Sequence, residues 1–291
     1  MRTTFRAVCC LCLFACAQLA APAFAQDKPA ASDAPKQPAP TLAISSQGKP
    51  NAPVDILVAL QHSPPSDAKC DGDAGACDAE HHWLVELQVA GRKAGAGKPV
   101  VLAMTQVAEI EKELRSAAAS KAEKTEAAIV SESTLSIRVP AQTPYRLVQR
   151  LIGMAARSGI HRIEFAVASA GTALEQRLAV PLPLPAKAEL KPEEPLVVEE
   201  IRVLLLMDRA NGRLIRRFGN TVLANGVKGD AQLQSLLNDS ADGWRRLGRP
   251  DVPGVIDAGS GVPWQAIVNV IDAFRAAGVE NVQFAAAAAK K

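Results

Sequence analysis

Aromatic residues are scarce in this chain, since three tryptophans, one tyrosine and seven phenylalanines make up 4% of its 291 residues. Its cores are therefore expected to be aliphatic and rich in alanine. An excess of charge of one sign is also missing, because 33 basic residues stand against 30 acidic residues. A basic footprint of the kind that binds nucleic acid is absent, so no nucleic-acid partner is expected.

Long apolar runs are missing except at the start of the chain. Arg2 and Arg6 precede an apolar stretch over 7–20, and the small-residue pattern Ala23-Phe24-Ala25 follows it. This order predicts a secretory signal peptide over 1–25, with a periplasmic mature chain. No later stretch approaches the roughly 20 apolar residues that span a bilayer. Without Arg2 and Arg6 the net charge is 31 − 30 = +1.

Two other fates of the first segment stay open. Leu13-Phe14-Ala15-Cys16 approximates a lipobox, in which Cys16 would carry a lipid anchor. The uncleaved segment would instead be a membrane anchor. In each case the next segment, 26–50, is rich in Ala, Pro, Lys and Gln and poor in large apolar side chains. This composition predicts a flexible tether.

Cysteine is scarce in the predicted mature chain, which keeps only Cys70 and Cys77 of the six in the sequence. An even pair in an oxidising compartment predicts a disulfide, here closing an insertion at 63–80. The alternative is a metal site made by Cys70, Cys77, His81 and His82, although their spacing matches no standard zinc pattern. Under that alternative the chain is a secreted metal or small-ligand binding protein.

A second proline-rich segment divides the rest of the chain, because Pro181, Pro183, Pro185, Pro192 and Pro195 are too close together for a helix or a central strand. We interpret 181–196 as a linker. The predicted folded regions are therefore 51–180 and 197–291.

The ends of these two regions are alike. Pro144 and Pro263 are separated by 119 residues (263 − 144 = 119), and the same offset carries four other residues onto similar ones without a gap. The shared pairs are Tyr145 with Trp264, Ile152 with Ile271, Gly159 with Gly278, and Phe165 with Phe284. The match indicates an internal repeat.

Each repeat is predicted to have the order ββαβαβ, an α+β fold in which a small mixed sheet carries two helices on one face. Thr143 could cap the helix after Pro144, Gly159 and Gly278 should end the helices, and His161 is expected in a solvated turn. The first predicted helix covers about 106–124 and its counterpart about 230–245. The predicted strands are 54–60, 83–89, 135–139 and 160–166, then 201–207, 213–221, 255–258 and 282–284.

The stretch from Val255 to Trp264, VIDAGSGVPW, resembles the hallmark of the ExbD/TolR family, in which a strand and an Asp precede Val-Pro-aromatic and an amphipathic helix. The second region matches along its length, whereas the first matches mainly over 135–167 and carries Arg138 in place of Asp257. The resemblance implies a periplasmic domain of a proton-driven envelope machine that dimerises and binds a partner protein or peptidoglycan. The essential transmembrane aspartate of that family has no counterpart here, because the apolar segment contains no acidic residue.

The possible partner-binding residues are Asp257, Ser260, Trp264 and Tyr145. For Asp257 the alternative is a structural carboxylate that accepts hydrogen bonds in a turn, and for the two aromatics the alternative is a place in the core. P-loop, dinucleotide-binding and His-Glu-x-x-His patterns are missing, so we expect neither an enzyme nor a cofactor. The expected partners are envelope proteins or peptidoglycan, with a homodimer or an intrachain pseudo-dimer as the assembly.

Overall fold

A computed structural model of the chain describes residues 41–49, 54–63, 80–90, 99–124, 129–169, 174–181, 199–208 and 210–285. The predicted signal peptide, the tether up to residue 40, Cys70 and Cys77 lie outside these ranges. Residues 40–291 belong to one compact unit. We call residues 41–181 the first half and residues 199–285 the second half.

The first half contains eight strands and two α-helices within the described ranges. The strands are β1 (Ile44–Ser45), β2 (Ile56–His62), β3 (Trp83–Val89), β4 (Val100–Ala103), β5 (Ala122–Lys124), β6 (Ile129–Arg138), β7 (Ile160–Ser169) and β8 (Glu175–Pro181). The helices are α1 (Val107–Ala118) and α2 (Tyr145–Arg157), and short 3-10 turns cover Glu80–His82 and Ala119–Lys121.

The second half has five strands and two helices in its described residues. They are β9 (Ile201–Met207), β10 (Leu214–Phe218), β11 (Thr221–Val222), α3 (Val227–Arg246), β12 (Gly254–Ala258), α4 (Trp264–Ala276) and β13 (Val282–Phe284). The protein is thus a mixed α+β structure with two mixed sheets and four helices in the described part of the chain.

Both sheets contain a run of five strands in the same order. The order is β4-β3-β2-β6-β7 in the first sheet and β11-β10-β9-β12-β13 in the second, with the last three strands of each run parallel. Leu135 pairs with Ile163, and Gly254 pairs with Val282, so the offset of 119 residues holds in the register of the sheets. The first sheet adds β1, β5 and β8 to this run.

Alternation of apolar residues explains why one face of each sheet is buried. Ile56, Val58 and Leu60 on β2 are fully or almost fully buried, whereas the residues between them are partly exposed. Each helix after a proline buries one stripe, including Leu147, Leu151 and Met154 on α2. The corresponding stripe on α4 consists of Trp264, Ile267, Val268, Val270, Ile271 and Phe274. Burying such stripes against a sheet is the main source of stability for helices of this length.

Both helices end at a glycine, as the sequence indicated. Gly159 has φ 81° and Gly278 has φ 77°, values that L side chains adopt at a cost. After α4 the Val279 amide donates to the Phe274 carbonyl at 2.9 Å, which is the long hydrogen bond of a Schellman motif. This bond satisfies a carbonyl that the helix itself leaves free.

Several element predictions were wrong. The helix expected over 106–124 ends at Ala118, because the chain continues into β5, which pairs with β6. β4, β8 and β1 were not predicted, and β1 lies inside the expected tether. Pro181 ends β8 instead of starting a linker. His161 is also not a solvated turn residue, since it lies in β7 and is only 9% exposed.

Candidate functional site

The two halves meet at the segments that lead into α2 and α4. Pro144 and Pro263 face each other there in an antiparallel bridge. Four backbone hydrogen bonds surround this bridge and form two reciprocal pairs. In the first pair, the Tyr145 N–H donates to the Val262 carbonyl (2.8 Å) and the Trp264 N–H donates to the Thr143 carbonyl (2.9 Å). In the second pair, the Arg146 N–H donates to the Ser260 carbonyl (3.1 Å) and the Gln265 N–H donates to the Ala141 carbonyl (2.8 Å).

Within each pair the two donor residues are 119 positions apart in sequence, and so are the two acceptor residues. This reciprocity is the property of an isologous interface, in which the same patch on two equivalent units contacts itself. The contact also explains how the helices begin. The first amides of a helix lack partners within the helix, and here the carbonyls of the opposite half accept from them.

The prediction that Thr143 caps α2 was wrong for this reason. Neither α2 nor α4 has a side-chain cap, and each has a proline at the N-cap position. The Thr143 side chain is fully buried, and its hydroxyl has no hydrogen-bond partner among the described residues. Its carbonyl, and not its side chain, takes part in starting a helix, and that helix is α4 of the other half.

Aromatic rings pack across the same contact in a reciprocal way. The rings of Phe165 and Trp264 lie 4.5 Å apart, and those of Tyr145 and Phe284 lie 5.8 Å apart, measured between centroids. Both distances fall within the range of favourable aromatic pairs. Tyr145 is 1% exposed and Trp264 is 0% exposed. Neither ring therefore offers a surface to another molecule in this structure.

Burial also affects the acidity of the tyrosine. Desolvation raises the pKa of the Tyr145 hydroxyl well above its usual value, and the negative charge of Asp257 adds to the effect. Even an unperturbed tyrosine is neutral at physiological pH, so this shift only strengthens the preference of a buried residue for its neutral form.

Asp257 lies near the end of β12 on the sheet face away from α3 and α4. Its carboxylate forms an ion pair with Arg202 at 3.1 Å, and both side chains are partly exposed. Glu200 accepts a hydrogen bond from Arg202 at 2.5 Å, and this bond, together with Asp257, raises the pKa of the guanidinium. Asp257 is therefore one member of a chain of three charges across the surface of the second sheet.

Ser260 is exposed in the turn that follows β12. Its carbonyl accepts from the Arg146 amide, as described above, while its side chain faces the surface. Gly259 in the same turn donates to the Leu205 carbonyl at 2.8 Å, which fixes the turn against β9. Of the four residues singled out in the sequence, the structure leaves Asp257 and Ser260 at the surface and places Tyr145 and Trp264 inside.

The base of the cysteine-containing insertion is described, although the cysteines are not. His81 and His82 end the 3-10 turn, with ring centroids 4.1 Å apart, and His62 on β2 lies 6.2 Å from His82. Burial lowers the pKa of His62, and the charge of His82 adds to this effect. The sequence does not single out His62, because it lies 19 residues before His81. Only the pairing of β2 with β3 brings it close to His81 and His82.

No group of three or more His, Cys, Asp or Glu side chains in the described ranges is arranged to hold a metal ion. The disulfide between Cys70 and Cys77, and the alternative metal site, lie outside those ranges and stay predictions.

Comparison of the chain with protein-family models, curated proteins and solved structures gave no match. Among the helices that the structure describes, none is long and apolar enough to cross a membrane.

Proposed function

We propose that this chain is a non-enzymatic interaction module of the cell envelope, made of two divergent copies of an ExbD/TolR-like domain that form a pseudo-dimer within one polypeptide. The observation that carries the proposal is the reciprocal contact at Pro144 and Pro263. It supports two equivalent units that associate as the copies of a dimer do. The common order of five strands in the two sheets and the shared register of 119 residues support the same reading.

The outer face of the second sheet is the surface we propose for partner binding. Leu206 is 38% exposed there, on the same face as Asp257, since Asp257 pairs with Leu204 two residues away. The Arg202–Asp257 ion pair beside it keeps 49% and 40% of its side-chain surface exposed. An apolar residue beside accessible charges suits the centre and rim of a modest protein interface.

The equivalent surface of the first half is occupied by its own contacts. Arg138, at the position of Asp257, is ion-paired with Glu175 at 2.5 Å. Glu175 also binds Arg177 at 3.0 Å, and Arg177 donates to Ser136 at 2.5 Å. Arg177 and Glu175 are largely closed to solvent, at 10% and 18% of their side-chain surface, whereas Arg138 keeps 46% of its side-chain surface exposed. The two copies therefore differ in charge and in ion-pair partner at the place where we expect a partner to bind.

A photo-crosslinking experiment tests the proposal. Benzoylphenylalanine is introduced at Leu206 in the second sheet or, as a matched control, at Val101, which is 51% exposed at the edge of the first sheet. In envelope preparations we expect crosslinks from position 206 and few from position 101. Asp257→Arg should lower the yield from position 206, whereas Arg138→Ala should not.

Co-sedimentation with purified peptidoglycan sacculi distinguishes the two expected classes of partner. A product at twice the chain mass would instead identify a second copy as the partner. Equal yields from positions 206 and 101, together with no retention on sacculi, would contradict the proposed binding surface.

A further inference from the structure

The segment Thr41–Lys49, which we call the strap, is fastened first to the first half. The Ala141 amide donates to the Thr41 carbonyl at 2.9 Å, and the Ala168 amide donates to the Ala43 carbonyl at 2.8 Å. At its far end, the Lys49 amide donates to the Arg177 carbonyl and the Lys49 carbonyl accepts from the Arg177 amide, both at 2.8 Å. Between these points β1 runs parallel to β7.

The strap is also fastened to α4 of the second half, through side chains. Asp272 accepts from the Ser45 hydroxyl at 2.6 Å and from the Ser46 amide at 2.6 Å. The Gln265 amide group accepts from the Ile44 amide at 2.7 Å and donates to the Ile44 carbonyl at 2.8 Å. Hydrogen bonds to a carboxylate are among the stronger ones in proteins.

Apolar burial contributes little to the seat of the strap. Ala43 and Ser45 are its buried residues, at 0% and 1% exposure, whereas of its two large apolar residues Leu42 is partly exposed and Ile44 is 48% exposed. Its strand has only two residues. When the strap leaves its seat, water can replace each of these hydrogen bonds, so their net cost is smaller than their gross strength, and the bonds to the Asp272 carboxylate are the costlier ones to exchange. The strap therefore has the character of a removable segment.

Two residues outside the strap, Ala141 and Gln265, form hydrogen bonds both to the strap and across the contact between the halves. Ala141 donates its amide to the strap and accepts from Gln265 through its carbonyl. Gln265 makes that backbone bond across the contact while its side chain holds Ile44. A displacement of either residue therefore disturbs both sets of hydrogen bonds, which couples the strap to the contact.

We propose that the strap is a releasable clamp, which holds the two halves in register while it is seated and loosens their contact when it is withdrawn. This inference goes beyond the proposed function, since it concerns the conformations of the chain and holds whatever the module binds. The residues before Thr41 continue directly from the strap. Tension along the expected N-terminal tether would therefore reach these hydrogen bonds first.

Hydrogen–deuterium exchange at single amides of the mature chain tests the clamp. The test variant is Asp272→Ala, and the control is Asp242→Asn, which changes an exposed ion pair on α3 far from the strap in sequence and contacts. We expect the Ala141 and Ala168 amides to exchange about tenfold faster in Asp272→Ala. The amides of Tyr145 and Trp264, which cross the contact, should also exchange several times faster, while those of β9 should not change.

Each outcome of the exchange experiment decides the proposal. If Ala141 and Ala168 accelerate but Tyr145 and Trp264 do not, the strap is a local attachment and the clamp is refuted. If no amide accelerates, Asp272 does not hold the strap and the proposal also fails. Should Asp272→Ala not fold, Ser45→Ala removes one fastening without removing the carboxylate, and the same comparison of amides applies. Partner binding is not measured here, so failure of the clamp and failure of the proposed function are separate results.

Discussion

Replacing Trp264 by alanine should weaken both halves at once. The side chain is fully buried, and its ring packs at a tilt against Phe165 of the first half and lies 6.4 Å from the ring of Phe284 in its own half, measured between centroids. Truncation of a buried tryptophan or phenylalanine to alanine costs about 3–5 kcal/mol. A domain is stable by only about 5–15 kcal/mol, so this change removes a large share of the free energy of unfolding. Trp264→Phe should cost only about 1–2 kcal/mol. It keeps a ring, and the indole Nε1 that it removes has no partner among the described residues.

Fluorine NMR on 5-fluorotryptophan provides a separate probe in each half. In Trp264→Ala the remaining tryptophans are Trp83 on β3 and Trp244 on α3. Urea unfolding followed through these two signals should show both midpoints shifted together to lower urea, because the lost contact belongs to both halves. If the Trp83 midpoint stayed at its wild-type value while that of Trp244 moved, the halves would not be stabilising each other and the reasoning would fail.

Three further predictions concern other parts of the chain. Gly229→Ala should destabilise the fold by about 2–3 kcal/mol, since the added Cβ would lie 1.7 Å from the Ala224 carbonyl oxygen. On the same helix, a Cβ added at Gly243 would meet nothing within 4 Å, so Gly243→Ala should stabilise the fold by about 1 kcal/mol. Urea titrations measure both changes. Burial lowers the pKa of His62, so the unfolded chain binds a proton there more readily than the folded chain. The contribution of His62 to the free energy of unfolding should therefore be constant above about pH 6.5 and fall as the pH drops below it. In thermal melts between pH 8 and pH 5, His62→Gln should flatten this dependence. Intact mass spectrometry should find a mature chain starting at Gln26 and lacking two hydrogens because of the disulfide between Cys70 and Cys77; a lipid on Cys16, or free thiols, would contradict it.

Local patterns made the central elements of each half predictable. The helices after Pro144 and Pro263, the glycines that end them and the strands around them follow from residues close together in sequence. A periodic apolar stripe or a glycine at a helix end needs no distant partner to be recognised. The sequence repeat at 119 residues also showed which residues to compare, and the sheet register keeps that offset.

Elements that depend on distant contacts escaped prediction. The strap buries alanine and serine and exposes isoleucine, which reverses the pattern that identifies a strand. Threonine is a residue type that often caps helices, but the first amides of α2 donate to carbonyls of the other half instead of to the Thr143 side chain. Asp257 and Ser260 could be placed at the surface from their turn, whereas the neighbouring charge network with Arg202 could not, because β9 and β12 meet only through the fold of the sheet.

Under our proposal of two copies in one chain, their joining allows an asymmetry that a homodimer of identical chains would lack. The residue equivalent to Asp272 in the first copy is Gly153 on α2, which has no side chain to accept from a strap, and the equivalent of Gln265 is Arg146. Only α4 therefore has the seat for Ser45 and Ile44. Arg138 and Asp257 likewise have opposite charges at equivalent positions, and each is neutralised by a different strand, β8 or β9. In a homodimer such changes would appear in both copies and could not give one copy the proposed clamp and the other the proposed binding face. In the proposed clamp, covalent linkage of the halves is thus what lets a single strap act on a contact whose backbone hydrogen bonds are reciprocal.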